Sequence, residues 1–474
     1  MVGKAFTLGD MIMKLLFVAL LGLSLSAHAD YKSFYFQKTQ EKKSSNLWSS
    51  VKKPKTEVSS FQQKLNHQDL NDSRTFTQRY FINTQYASSP SAPTLFYLCG
   101  EATCQGPSGA LFYFAEKLKA NLISLEHRYY GKSQPFAQLS TENLKYLSTE
   151  NALQDAALFQ KFAMNQLGFN GKWIVVGGSY AGSLAAYYRE KFPQLVAGAL
   201  ASSGPVQADD NFEEYDKHVA SVAGPECLSQ IHKVVAQLES ALQKPEELTR
   251  LKATFSAEKL LTDLDFVYLV ADMGALAIQY GYKDRFCQLL NSEDPMKGYA
   301  QFTQEIYKSW GMTALSGSAS GAVSLNPDDY ENDFGMRQWF YQSCTEYGYW
   351  QNAYHDKNLS ARSQLINEEY HRDICRRLFN INFTTPTQKI NEMFYSPLLL
   401  SSTSQIFFTN GSTDPWINLS IAKENGNTVN SKTSHITIAG AAHCDDLRSP
   451  KTSDSSSLQA ARAQFLELAT EWLK

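Results

Sequence analysis

The stretch "VVGGSYAGSLAAYYREKFP", Val175 to Pro193, decides how the rest of the chain is read. The apolar run Trp173 to Val176 has the character of a buried strand and meets Gly177, Gly178 and Ser179. A segment rich in Ala, Leu and Tyr then continues at helical spacing until Pro193 stops it. Two readings of Ser179 compete. It is the N-cap of an ordinary helix, accepting a bond from a first-turn N–H. Or it is a nucleophile on a sharp strand-to-helix turn where only small neighbours fit. The turn reads Gly177-Gly178-Ser179-Tyr180-Ala181, with Gly182 next, so it departs from a strict G-x-S-x-G only by the small Ala181.

Similar strand-like stretches flank this one. Phe76 to Tyr86, Pro93 to Gly100, Asn121 to Gly131 and Val196 to Gly204 read as strands, and Glu150 to Gly168 as a helix closed by its glycine. Strands alternating with helices predict right-handed crossovers and a mostly parallel sheet. The alternation breaks near Asp209, and the chain to Pro397 reads as mainly helical. Strand patterns resume at Ser404 to Gly411 and Ser434 to Gly440, and Ser456 to Lys474 reads as a final helix. One α/β domain interrupted by a helical cap explains this order. The expected divisions are a signal peptide over 1–29, a first sheet part over 30–207, a cap over 208–397 and a second sheet part over 398–474. Residues 37 to 64, polar and rich in Lys, Gln and Ser, read as an extended surface arm.

Composition excludes several classes. A chain of 474 residues with 43% hydrophobic content holds a large core. A net charge of −3 gives no electrostatic case for nucleic acid. Lys14, the apolar run Leu15 to Leu25 and Ala27-His28-Ala29 have the layout of a secretory signal, too short to span a bilayer comfortably. No other run is long and apolar enough for a membrane span. Such a leader leads to the secretory pathway: extracellular space, periplasm or lysosome. Seven cysteines in an exported chain predict disulfides with one thiol left over. No Cys-x-x-Cys or His-Glu-x-x-His occurs and the nine histidines do not cluster, so no metal or other cofactor is expected.

In open parallel sheets, ligands sit beyond the carboxyl ends of the strands. Ser179 follows one such strand, Asp414 in "NGSTDPW" follows another, and His443 in "GAAHCDD" a third. Their order is serine, acid, histidine, as in α/β-hydrolases. A serine hydroxyl needs a base to take its proton, neutral histidine is that base, and the carboxylate fixes the imidazole tautomer. Asp445 and Asp446 are rival acids, but sitting next to His443 they meet its ring awkwardly. Asn410 opens an Asn-Gly-Ser sequon close to Asp414, where a glycan would crowd the loop unless the asparagine is buried.

The stretch already quoted continues to "GALASSGPV", and with "EHRYYGKSQPF" and "NGSTDPW" it resembles the prolyl carboxypeptidase, dipeptidyl peptidase II and thymus-specific serine protease family. "FTQRYF", "YQSCTEYGYW" and "AHCDDLRSP" are similar to further family blocks, so the resemblance runs from about Phe76 to Leu447. It implies an α/β-hydrolase fold with a helical cap and a serine exopeptidase that cuts after proline. It implies the triad Ser179, Asp414 and His443, an oxyanion hole from the N–H groups of Tyr180 and Glu101, and Trp416 as a wall of the proline pocket. The Glu101 loop, "CGEATC", departs from the family's glycine-rich form. The same matching implies Cys227 paired with Cys287 and Cys344 with Cys375, leaving Cys99, Cys104 and Cys444 unassigned, with Cys444 a candidate free thiol. The implied partners are peptides with proline near one end, and a homodimer stays open. A secreted esterase or lipase of the same fold, and a non-catalytic binding protein, are the competing functions.

Overall fold

The computed structural model describes residues 56–330, 334–422 and 430–474; the expected signal peptide and most of the polar N-terminal arm lie outside them. Eight strands form one sheet: β1 (Glu57–Lys64), β2 (Thr75–Asn83), β3 (Thr94–Leu98), β4 (Asn121–Leu125), β5 (Trp173–Gly178), β6 (Gly198–Ser202), β7 (Ile406–Gly411) and β8 (Ser434–Ile438). Their spatial order is β1-β2-β4-β3-β5-β6-β7-β8. β1 and β2 pair antiparallel with their neighbours, and every pairing from β4 to β8 is parallel. This is the α/β-hydrolase architecture.

The central strands β3 to β7 are buried along almost their whole length, and mainly apolar, because both faces are covered. Alternate residues serve opposite faces. Phe96, Ile123, Val175 and Phe408 join one core cluster, while Leu95, Leu122, Val176 and Phe407 join the other. Burial of each such side chain contributes about 1.5–3 kcal/mol. The longer helices are α1 (Ala110–Leu118), α2 (Thr149–Gln166), α3 (Tyr180–Lys191), α4 (Glu213–Ala223), α5 (Pro225–Ala241), α6 (Pro245–Thr254), α7 (Asp263–Gln279), α8 (Lys283–Leu290), α9 (Pro295–Trp310), α10 (Met336–Gln342), α11 (Glu368–Phe379) and α12 (Ser456–Trp472). Phe159 of α2 and Tyr188 of α3 pack on the first cluster; Phe114 of α1 and Phe465 of α12 pack on the second. Helices α4 to α11 all fall between β6 and β7.

The polar arm is corrected at its end. Residues from Glu57 form a strand rather than a free surface segment, with Glu57 opposite Ile82 and Lys64 opposite Thr75. Phe61 anchors it, stacking on Phe162 with ring centroids 5.2 Å apart and meeting Phe159 at 5.3 Å. The remaining polar side chains suit an edge strand, where charge discourages further pairing.

Three disulfides are present among the described residues. Cys227–Cys287 ties α5 to α8, and Cys344–Cys375 ties the turn after α10 to α11. Cys99–Cys104, which sequence reading left unassigned, closes the loop after β3. Cys444 is the free thiol.

Candidate active site

The turn after β5 carries Ser179 at φ 59° and ψ −134°, a backbone geometry rarely adopted by residues other than glycine. Its neighbours explain how the chain holds it. A Cβ on Gly177 would lie 1.9 Å from the Ala181 carbonyl oxygen, and one on Gly182 2.7 Å from that of Ser202. Only glycine permits that approach. The Ser179 N–H donates to the Ser202 carbonyl at 2.9 Å, locking the turn to β6. The side chain makes no capping hydrogen bond to α3. The hydroxyl is therefore not used as a helix cap, and Ser179 lines a cavity of about 370 Å³ instead.

Asp414 and His443 follow β7 and β8, at the same edge of the sheet. Asp414 is fully buried, and its Oδ2 lies 2.7 Å from His443 Nδ1. Its Oδ1 accepts the Trp416 N–H at 3.1 Å, so both carboxylate oxygens are engaged and the group cannot swing. Burial by itself lowers the His443 pKa. The Asp414 carboxylate more than reverses this, and the imidazole is held well above its ordinary value. The His443 backbone N–H donates to the Gln279 backbone carbonyl at 2.9 Å, tying the loop after β8 to the end of α7. Asp445 and Asp446 are occupied elsewhere. Asp445 pairs with Arg448, and Asp446 accepts from Ser202 Oγ at 2.6 Å and Thr409 Oγ1 at 2.7 Å.

Tyr180 opens α3, and its hydroxyl is fixed by Gln342 Nε2 at 2.8 Å and His127 Nε2 at 3.1 Å. Burial pushes His127 down to about 4, so it is neutral and accepts from Tyr180, while its Nδ1–H donates to the Arg128 carbonyl at 2.7 Å. Glu101 lines the cavity opposite, in the loop clamped by Cys99–Cys104. Its backbone carbonyl accepts the Gly335 N–H at 3.1 Å. Trp416 is 8% exposed and meets Tyr215 edge-on at 5.5 Å and Tyr349 at 5.3 Å. Its indole N–H donates to Gln279 Oε1 at 3.0 Å, which also accepts from the Tyr215 hydroxyl at 2.6 Å. A flat aromatic wall thus faces the same space as Ser179 and His443. Asn410 is buried on β7 and donates to the Ile421 carbonyl at 3.3 Å, the alternative under which its sequon is harmless.

Sequence reading missed Gln279, His127 and Gln342, whose roles exist only once distant segments meet. It also missed Asp272, on α7, which lines the cavity. The available signal was an acid inside the otherwise apolar run Phe266 to Ile278. Among the described residues no group of three or more His, Cys, Asp or Glu side chains forms a metal site.

The model of the family described as "Serine carboxypeptidase S28" matches residues 63–465. A plant relative, "Probable serine protease EDA2" of Arabidopsis thaliana, is 36% identical over 414 residues, 84% of this chain and 79% of that protein. The mouse "Thymus-specific serine protease" is 30% identical over 452 residues, 87% of each chain. The bovine "Lysosomal Pro-X carboxypeptidase" is 28% identical over 445 residues, again 87% of each.

Proposed function

Because this chain belongs to the serine carboxypeptidase S28 family and is a serine peptidase, we propose that it hydrolyses peptide bonds after proline through Ser179, His443 and Asp414. The observation that carries the reading is the buried Asp414–His443 pair at 2.7 Å, whose histidine lines one cavity with Ser179 and Trp416.

In this mechanism Ser179 Oγ attacks the carbonyl carbon while His443 Nε2 takes its proton. The N–H of Tyr180, in the first turn of α3, and that of Glu101 receive the negative oxygen. Each such donor is worth about 3–4 kcal/mol in the transition state. His443 returns the proton to the leaving amine, and the acyl group leaves Ser179 when water repeats the sequence. Asp414 stabilises the imidazolium without taking its proton. The proline ring lies against Trp416, with Tyr215 and Tyr349 supporting the indole. The helices between β6 and β7, the expected cap over 208–397, contribute Tyr215, Asp272, Gln279 and Trp310 to the cavity lining. The leader over 1–29 and the three disulfides support export to the secretory pathway.

Product analysis tests this. Mass spectrometry of digests of short peptides with one internal proline should show a single cut on the carboxyl side of proline, with p-nitrophenyl esters turned over less efficiently. Rapid ester hydrolysis with no cut after proline would reject the peptidase specificity.

A further inference from the structure

Helix α7 lays four residues along the cavity: Tyr268, Asp272, Leu276 and Gln279. Their spacing of three and four places them on one helix face. Gln279 marks the catalytic end, since it bonds both His443 and Trp416. Asp272 lies seven residues away, about 10 Å along the helix. Two extended peptide residues and one hydrogen bond cover about the same length.

The charged groups lining the cavity are few. Arg448 is paired with Asp445, and Glu101 has an interaction of its own although its Oε2 accepts no hydrogen bond. His443 is held by Asp414. Asp272 accepts no hydrogen bond and forms no ion pair among the described residues. Arg362 exerts some pull on it; that guanidinium lies 3.3 Å from Asp216 and donates through Nη1 to the Gln351 carbonyl, while its Nη2 makes no hydrogen bond. Burial holds the Asp272 carboxyl up at about 6, against the pull of Arg362, so near neutral pH it is an anion, half-buried at the cavity wall. The rings of Tyr268, Trp310 and Trp350 line the same space, and aromatic faces favour a cation beside them.

We infer that Asp272 receives the free α-ammonium of the substrate, two residues before the scissile bond, making the enzyme a remover of N-terminal dipeptides. This rests on the post-proline reading above and names the end of the peptide that the site holds. Asp272 is a specificity residue; it touches substrate away from the reacting atoms.

The test compares Ala-Pro-p-nitroanilide with its N-acetylated form on wild type and on Asp272→Asn. Wild type should favour the free amine by about 10–100-fold in kcat/KM, the range of a hydrogen bond to a charged group. Asp272→Asn should lose that preference, mainly through KM, while turnover of the acetylated substrate and labelling by a fluorophosphonate stay unchanged. Equal wild-type cleavage of both substrates would overturn the amine site while leaving post-proline hydrolysis standing, and it decides the matter even if the variant does not fold. Equal losses on both substrates in a variant that still labels would likewise overturn it. Failure of wild type to cut either substrate, or any proline peptide, would reject the underlying reading instead.

Discussion

Ser179, Asp414 and His443 sit on turns that follow strands of the parallel sheet, whereas Asp272, Gln279 and Tyr215 line the cavity from helices. The strand edge is positioned by the sheet ladder. Gly178 stands opposite Ser202, Ser202 opposite Thr409 and Gly411 opposite Ile438, so the register of three pairings sets where the turns begin. The helical side has no ladder. It relies on cross-links and buried ion pairs, such as Asp216 with Arg362 at 3.3 Å, and on stacked rings such as Tyr347 and Tyr349. In the proposed mechanism this is a division of labour: strand ends hold the reacting groups, which need close placement, and the helices between β6 and β7 contact the rest of the substrate.

The division breaks first if the strand edge is not where turnover arises. Ser179→Ala should lower kcat by about 10⁶-fold, and adding His443→Ala should cost little more, because the groups act as one unit. Steady-state kinetics that leave even a tenth of the activity would put the chemistry elsewhere. Asp414→Asn should cost about 10⁴-fold by presenting the wrong tautomer. It should also move the acidic limb of kcat/KM. The base must be neutral, so activity falls as pH drops through the His443 pKa. The carboxylate is what raises that pKa against burial, so its removal should carry the limb to lower pH. A pH profile with an unmoved limb would show that the pair does not control the base.

The helical side is probed by stability and by selectivity. Cys227–Cys287 and Cys344–Cys375 close loops with sequence separations of 60 and 31. Chain entropy assigns such loops about 3–4.5 kcal/mol each. A Cys344→Ala, Cys375→Ala variant should therefore unfold at lower denaturant and lose peptide turnover, with fluorophosphonate labelling retained. Labelling lost in step with peptide turnover would mean that the two regions are not separable. The smallest expected effect is at Trp416→Ala, about 1–3 kcal/mol against proline substrates relative to alanine substrates, from the lost apolar wall. Equal losses of kcat/KM on both would make Trp416 a packing residue.

The two sides also differ in how much of them sequence reveals. Strands β2 to β8 are legible as apolar or alternating runs ended by Gly, Ser or a turn, and the strand-end rule draws attention to Ser179, Asp414 and His443. β1 was hidden by its polar composition, and the antiparallel pairing of β1 and β2 leaves no trace in a run of residues. "EHRYYG" was visible only as a block. The structure shows why it is built so: Arg128 pairs with Asp155 at 2.6 Å, and Glu126 accepts from Arg79 Nε at 3.1 Å. Those partners lie on other elements, as do the partners of Gln279 and Gln342, and local pattern carries no information about them. Cys99 and Cys104, only five residues apart, are joined because the loop after β3 turns back sharply, a geometry that spacing alone does not reveal.

The central claim is that Ser179 is the nucleophile at this strand edge. Its most direct test is to treat the intact protein with a fluorophosphonate and map the adduct by mass spectrometry. The account predicts one adduct, on Ser179, forming in step with the loss of peptide hydrolysis. Loss of activity with Ser179 unmodified and the adduct on another residue would contradict it.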